Sequence, residues 1–269
     1  DRVNTEGVRL LVAFAEQYGT QAFVHISTLD VSWTGSAHSL QAPRPPFDLQ
    51  TCSPIPYVRS KANGEFIAMR MGKGPIKGEI SSQGRGEMSV VILRPAHIFG
   101  AARNIGSVLA DPLASYLWSI PPVRLGSADS KMSMVSVSTV VEVSIRAAKA
   151  PQDLNGKCYA VKDLDANFFQ FYQEQVLGRK LWPLLRVPDW AVLLAARAAD
   201  WWYQMITCMT SLKNLPAPFR WFGCIYFRDP MLCLTSQGVR QALLDLTIDD
   251  AATKKNLGDY NSRFFKLAL

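Results

Sequence analysis

The sequence predicts an α/β protein, a doubly wound parallel sheet followed by a C-terminal lobe. Three observations predict it. Val3 to Tyr18 carries apolar residues at Val8, Leu10, Leu11, Ala13, Phe14 and Ala15 and closes on Gly19, which is a helical spacing ended by a helix-terminating glycine. Gln21-Ala-Phe-Val-His-Ile-Ser27-Thr28 and Met88-Ser-Val-Val-Ile-Leu-Arg94-Pro95 are short β-rich apolar runs. A helix is expected between them, from Tyr57 to Met71. Phe23 to Ile26, apolar on both faces and flanked by helices, is expected as a central parallel strand. The C-terminal end of such a strand is where these sheets bind ligands.

Composition narrows the function classes. At 269 residues and 48% hydrophobic, the chain can bury the core of one large domain, or of one domain with a smaller lobe. The formal charge is +7 and the pI about 9.2. Its basic residues are dispersed, with no dense block and no aromatic-basic RNA motif, which argues against nucleic acid. Attraction to an anionic membrane surface accounts for the charge. Cys52, Cys158, Cys208, Cys224 and Cys233 form an odd set with no C-x-x-C pair and no histidine at metal-ligand spacing. They read as reduced thiols in a cytosol-facing protein without a bound metal. His25, His38 and His97 are isolated and are expected to be structural. No signal peptide or N-terminal anchor is expected.

The chemistry is placed in Pro56-Tyr57-Val58-Arg59-Ser60-Lys61-Ala62-Asn63-Gly64-Glu65. Residues four apart on a helix share a face, so Tyr57 and Lys61 are neighbours. A phenol titrates near 10 when left alone and needs a nearby cation to act at neutral pH. At about 4 Å and an effective dielectric near 20 the attraction is on the order of 4 kcal/mol, so Lys61 is expected to lower the Tyr57 phenol. Tyr57 then becomes a usable proton donor or acceptor.

Four segments stand in a recognisable order: Asn4-Thr-Glu-Gly7-Val-Arg-Leu-Leu, Phe23-Val-His-Ile-Ser27-Thr28-Leu-Asp-Val31, Pro56-Tyr57-Val-Arg-Ser60-Lys61 and Leu93-Arg94-Pro95-Ala-His-Ile-Phe-Gly100. In these the chain resembles the extended short-chain dehydrogenase/reductase superfamily, and in particular its 3β-hydroxysteroid dehydrogenase branch. The resemblance implies a Rossmann-like sheet with NAD or NADP as cofactor. Such a fold starts with a strand and a G-x-x-G-x-x-G turn whose amides hold the pyrophosphate. Here Gly72-Lys-Gly74 and Gly84-Arg-Gly86 lie after the Tyr-Lys helix and before a strand, which is the wrong context. The chain opens at Asp1 inside a helix, so it is expected to lack the first strands of its nucleotide-binding half, as a fragment or a truncated gene model.

By the same resemblance Thr28 is the hydroxyl that polarises the substrate oxygen, with Ser27 as the alternative. Asn4 lies close to the cofactor, or is only a helix N-cap. Pro95, Ala96 and Ile98 run beside the nicotinamide, or Pro95 only ends its strand. Tyr57 and Lys61 contact the cofactor as well as the substrate.

Further along, residues 32 to 55 are expected as a loop over the site, with Trp33 either on substrate or on a plain surface loop. The stretch from Gly72 to Gly86 is read as a flexible basic loop. A helix is expected over Ile105 to Tyr116. Met132 to Val137 leads into a helix from Ser138 to Ala150, where the family's usual asparagine is replaced near Thr139 and a local backbone hydrogen bond should weaken. A strand at Lys157 to Val161 and a helix from Phe168 to Leu177 follow. Trp190 to Leu212 is the most membrane-like segment, but Arg197 and Asp200 interrupt it, which disfavours a spanning helix. It reads as an interfacial helix or as a buried helix of the lobe. The tail, with Phe219 to Phe222, Cys224 to Phe227 and a helix at Ser236 to Leu246, resembles the end of the branch's substrate lobe. The domain expectation is 1–150 for the cofactor-binding part and 151–269 for the substrate lobe, interleaved with the first.

The expected function is oxidation of a 3β-hydroxyl on a sterol or steroid, on a membrane surface at the cytosolic face of the endoplasmic reticulum or otherwise in the cytoplasm, with a homodimer as the candidate assembly. The alternatives are a nucleotide-sugar epimerase or reductase of the same superfamily, and a non-catalytic membrane-associated binding protein.

Overall fold

A computed structural model describes residues 2–33, 38–41, 56–71, 88–99, 123–124, 130–149, 151–167, 171, 185–211 and 243–260. A π-helical turn (Arg2–Gly7) leads into α1 (Val8–Gln17), β1 (Ala22–Ile26), a 3-10 turn (Leu29–Ser32), β2 (His38–Gln41) and α2 (Pro56–Met71). Then come β3 (Ser89–Pro95), β4 (His97–Phe99), β5 (Val123–Arg124), β6 (Met132–Ser136), α3 (Val137–Lys149) and α4 (Pro151–Leu154). The order closes with β7 (Lys157–Val161), β8 (Leu164–Ala166), β9 (Leu185–Arg186), α5 (Asp189–Ser211), β10 (Leu246–Ile248) and α6 (Ala251–Leu257). Two compact units result, one of residues 1–100, 132–165 and 246–269, the other of 101–131 and 166–245. Strand β7 and the segment carrying β10 and α6, placed by sequence in the C-terminal lobe, therefore belong to the first unit.

In that unit β1, β3 and β7 form a parallel sheet with β3 in the middle. β3 is buried along its whole length, as a parallel strand covered by helices on both faces should be. Successive side chains of a strand point to opposite faces. Val90 and Ile92 accordingly pack with Val8, Val12, Ala68 and Met69 of α1 and α2. Val91 and Leu93 pack on the other face with Val140, Val143 and Ala147 of α3 and Leu257 of α6. Each fully buried aliphatic side chain contributes about 1.5–3 kcal/mol, so these four residues of β3 bind both helical layers to the sheet.

A second parallel set, in the order β2, β10, β6, β4, completes the first unit, with β8 beside β6. Two corrections follow. Residues 38–41, expected inside a loop, form a strand, and Trp33 is buried at 5% exposure rather than lying on a surface loop. Leu246, expected at the end of a helix, opens β10, because its backbone completes the parallel ladder against β2 and β6. The expected helix at 105–116, the basic loop at 72–86, most of the helix at 168–177 and the aromatic tail at 219–227 lie outside the described residues.

α3 begins within a residue of its expected start. Ser136 Oγ accepts from the Thr139 amide at 3.2 Å, while Asp163 accepts from the Ser136 amide at 2.7 Å and from Thr139 Oγ1 at 2.8 Å. Threonine at this position therefore joins a closed polar cap with Ser136 and Asp163.

The second unit holds a short parallel pair, β5 with β9, and α5. At 100° per residue, Trp190, Leu194, Trp201 and Met205 of α5 fall within an arc of about 60°. All four are exposed, while Val192 and Ala196 on the opposite side are buried. Among the described residues, no helix is long and apolar enough to cross a membrane.

One buried ion pair ties α2 to β3. Arg94 Nε donates to Glu65 Oε1 at 2.9 Å and Arg94 Nη2 to Glu65 Oε2 at 2.6 Å, with both side chains at or below 1% exposure. Removing one partner strands a buried charge. Glu65→Ala should lower unfolding free energy by about 3–5 kcal/mol, whereas replacing both residues by apolar ones of similar volume should recover most of that loss. Urea denaturation of the single and double variants checks it.

Candidate active site

β1 stops at Ile26, and the Ser27 amide adds one more ladder bond to the Leu93 carbonyl at 2.8 Å. Ser27 is buried at 5% exposure, and its hydroxyl has no hydrogen-bond partner among the described residues. The chain then turns at once. Thr28, with φ −147° and ψ 149°, caps the 3-10 turn that follows. Its Oγ1 accepts from the Asp30 amide at 3.4 Å and donates to Asp30 Oδ2 at 3.2 Å. Ser32, at the end of the turn, accepts from Arg94 Nη1 at 3.0 Å, so the guanidinium that holds α2 also holds the turn.

α2 carries Tyr57 and Lys61 to this strand end. Lys61 Nζ donates to the Ile26 carbonyl oxygen at 3.3 Å, next to Ser27. Tyr57 keeps half of its surface exposed. Asn4, from the π-helical turn, donates through Nδ2 to Ser60 Oγ at 3.0 Å, and that hydroxyl donates to the Tyr57 carbonyl at 2.7 Å. The N-cap position of α1 is Gly7, which makes no side-chain cap bond, so the amide of Asn4 braces the Tyr-Lys helix instead of capping its own. Close approach here depends on Gly64. A β-carbon at that position would run into the Asn4 carbonyl oxygen and crowd Val8 and His25.

Pro95 closes β3 in register with Val161 of β7, and the Ala96 amide donates to the Val161 carbonyl at 2.9 Å. Ala96 packs into the core beneath, while Ile98 on β4 is 39% exposed. The structure thus gathers Ser27, Thr28, Lys61 and the Tyr57 helix at the carboxyl end of β1. Pro95 and Ala96 sit at the corresponding end of the neighbouring strand.

The electrostatics differ from the sequence expectation. Lys61 was expected to lower the phenol of Tyr57, yet the phenol is held above its ordinary value, first by partial burial and then by the Asp30 carboxylate. Lys61 directs its ammonium at the end of β1, and its own value is lowered by burial, with Glu65 acting in opposition. Asp30 and the Arg94–Glu65 pair are functional-site features that sequence reasoning missed. The readable signals were the Thr-x-Asp spacing of a turn in which side chains bond the local backbone, and a glutamate one helical turn after Lys61.

Cys158 is half-buried on the α1–α2 face of the sheet, and burial pushes its thiol up to about 12, which keeps it a neutral thiol. His25 lies under α2 at 7% exposure, and its Nε2 has no partner among the described residues. Burial lowers its value from 6.5 to about 4, helped by Lys61 and opposed by Glu65. A histidine held neutral by the fold costs nothing above pH 6.5. As pH falls below that, the unfolded chain takes up the proton first, and stability drops until about pH 4, by up to roughly 3 kcal/mol. Stability curves at pH 7 and pH 4.5 should show this acid loss in the native chain and a smaller one in His25→Gln.

Comparison with known proteins follows this geometry. The sequence model of the 3-beta hydroxysteroid dehydrogenase/isomerase family matches residues 1–175. Comparison with curated protein sequences finds no match. Among solved structures the fold is similar to that of gox2253, with TM-score 0.59 and 16% identity over 96% of this chain and 66% of that one. It is also similar to the terminal R domain from the myxalamid PKS-NRPS biosynthetic pathway, with TM-score 0.56 and 16% identity over 96% and 57%. A third is a DesIV double mutant, a dTDP-glucose 4,6-dehydratase from Streptomyces venezuelae with NAD and DAU bound, with TM-score 0.53 and 15% identity over 98% and 62%. The chain spans 57% to 66% of the length of these structures, and at such identities the likeness is one of fold. With a family match over residues 1–175 of 269, the chain belongs to the 3-beta hydroxysteroid dehydrogenase/isomerase family.

Proposed function

We propose that the whole protein is an NAD- or NADP-dependent oxidoreductase that oxidises the 3β-hydroxyl of a sterol or steroid. The observation that carries the reading is the Lys61 ammonium seated on the Ile26 carbonyl, which fixes the Tyr-Lys helix against the strand end bearing Ser27 and Thr28. In this reading Tyr57 exchanges the proton of the substrate hydroxyl, and Thr28 hydrogen-bonds the reacting oxygen, with Ser27 as the alternative. Asn4, Tyr57, Lys61, Pro95, Ala96 and Ile98 would hold the nicotinamide end of the cofactor. The buried Ser27 hydroxyl, unpartnered among the described residues, suits a polar group placed there. The bound cofactor supplies the hydride acceptor. The chain contains no G-x-x-G-x-x-G turn for the pyrophosphate, so the fit is to the nicotinamide end.

The raised phenol gives the chemistry a direction. Oxidation needs a base, and burial together with Asp30 disfavours the phenolate, so oxidation should speed up as pH rises through the alkaline range. Tyr57→Phe should lower kcat/KM by about 10²–10⁴-fold. The decisive assay follows NAD(P)H formation by protein expressed from its complete reading frame, against a panel of 3β-hydroxysterols and nucleotide sugars. Turnover of sterols that collapses in Tyr57→Phe supports the reading. Turnover of nucleotide sugars alone replaces it with an epimerase or reductase, and cofactor-free inertness replaces it with a binding protein.

A hydrophobic substrate suits a protein that works on a membrane surface, as on the cytosolic face of the endoplasmic reticulum. The exposed stripe Trp190, Leu194, Trp201 and Met205 on α5 and the net charge of +7 support this. Similarly exposed Leu11, Phe14 and Tyr18 on α1 support self-association as a homodimer. The protein should cosediment with anionic vesicles, and Trp190→Glu with Trp201→Glu should reduce the bound fraction. Equal binding of the variant would remove the α5 assignment.

A further inference from the structure

The Thr28 hydroxyl has one proton and two lone pairs. The proton goes to Asp30 Oδ2 at 3.2 Å, and one lone pair takes the Asp30 amide at 3.4 Å. Asp30 therefore grips the hydroxyl from its side chain and its backbone at once. A threonine outside a helix otherwise chooses among its χ1 rotamers, and only some of these keep Oγ1 in one place. The segment cannot drift as a whole, because Ser27 is laddered to Leu93 and Ser32 is bonded to Arg94. Asp30 lies between these two fixed points, in the first turn after the strand.

We propose that Asp30 is a positioning residue of the site, whose amide and carboxylate fix where Thr28 Oγ1 lies, the Thr28 proton turning from Oδ2 to the reacting oxygen when substrate binds. This deepens the functional reading and rests on Thr28 meeting the reacting oxygen. After partial burial, the charge of the same carboxylate raises the Tyr57 phenol, so one acidic side chain bears on both groups assigned to the substrate oxygen. Lys61, on the same helix as Tyr57, is held at the Ile26 carbonyl, and Glu65 is engaged by Arg94. Asp30 is therefore the charge that bears on the phenol from the turn.

The test separates this role from a structural one. In the complete protein, Asp30→Ala should lower kcat/KM for the hydroxysterol about tenfold, the size expected for loss of one hydrogen-bonded orientation. In a Thr28→Ala background, the same change should have almost no further effect. Asp30→Glu should restore part of the loss. Independently of activity, ¹³Cζ-tyrosine NMR of the 269-residue chain, with the Tyr57 signal identified by its absence in Tyr57→Phe, should show the phenol titrating at lower pH in Asp30→Asn. Multiplicative effects of Asp30→Ala and Thr28→Ala, or an unmoved Tyr57 titration, would overturn the proposal while leaving the dehydrogenase reading intact. Absence of any sterol turnover in the native protein, with the titration shifted as expected, would overturn the dehydrogenase reading and keep the Asp30–Tyr57 coupling.

Discussion

The Arg94–Glu65 pair is the contact on which the site depends. Burying two charges is expensive, and only a bidentate geometry with further hydrogen bonding offsets that cost. Both conditions hold, because the guanidinium spends two nitrogens on Glu65 and a third on Ser32. One side chain at the end of β3 thus fixes the helix that carries Tyr57 and Lys61 and the turn that carries Thr28 and Asp30. Without it the helix and the turn would be joined by apolar packing, which does not define direction, and by the partly exposed Lys61 contact to the Ile26 carbonyl. An ion pair of fixed geometry defines direction.

Around that anchor, charge is distributed differently from what a Tyr-x-x-x-Lys pattern suggests in isolation. Spacing places the two side chains on one face of a helix but says nothing of where a flexible ammonium goes. Lys61 finds the Ile26 carbonyl on β1, and β1 lies at the edge of its three-strand set, where carbonyls are left without a ladder partner. Tyr57 is left with Asp30 as its influential neighbour, and its phenol keeps its proton more firmly. A phenol held in this way stays protonated, and the base role proposed for Tyr57 would require added positive charge nearby.

The helix layers have matching roles. The π-helical turn and α2 meet so closely that Gly64 has no room for a side chain beside the Asn4 carbonyl, and Asn4 uses that closeness to brace Ser60 and the backbone of Tyr57. His25 fills the space below as a neutral, buried ring. The opposite layer, α3 and α6, carries no part of the site and supplies burial, closed at its start by the Ser136, Thr139 and Asp163 cap.

Much of this was legible in the sequence because it is local. The spacing of Val8, Leu11 and Phe14 defines a helix, the continuous apolar run of β3 defines a strand buried on both faces, and Gly19, with φ +66°, ends α1 as a glycine there should. The family resemblance carried by Asn4, Ser27, Thr28, Tyr57, Lys61 and Arg94-Pro95 is written in consecutive residues, and the family match bears it out. Residues 38–41 and 246–248 were not legible as partners, since each segment is only three or four residues long and their ladder joins positions some 200 residues apart. Nor could the sequence show that Arg94 would choose Glu65, that Lys61 would choose a carbonyl, or that the charge of Asp30 would bear on the Tyr57 phenol. Each of these is a competition among charged and polar groups settled by distance and burial, and those quantities come into being only when the strands and helices pack.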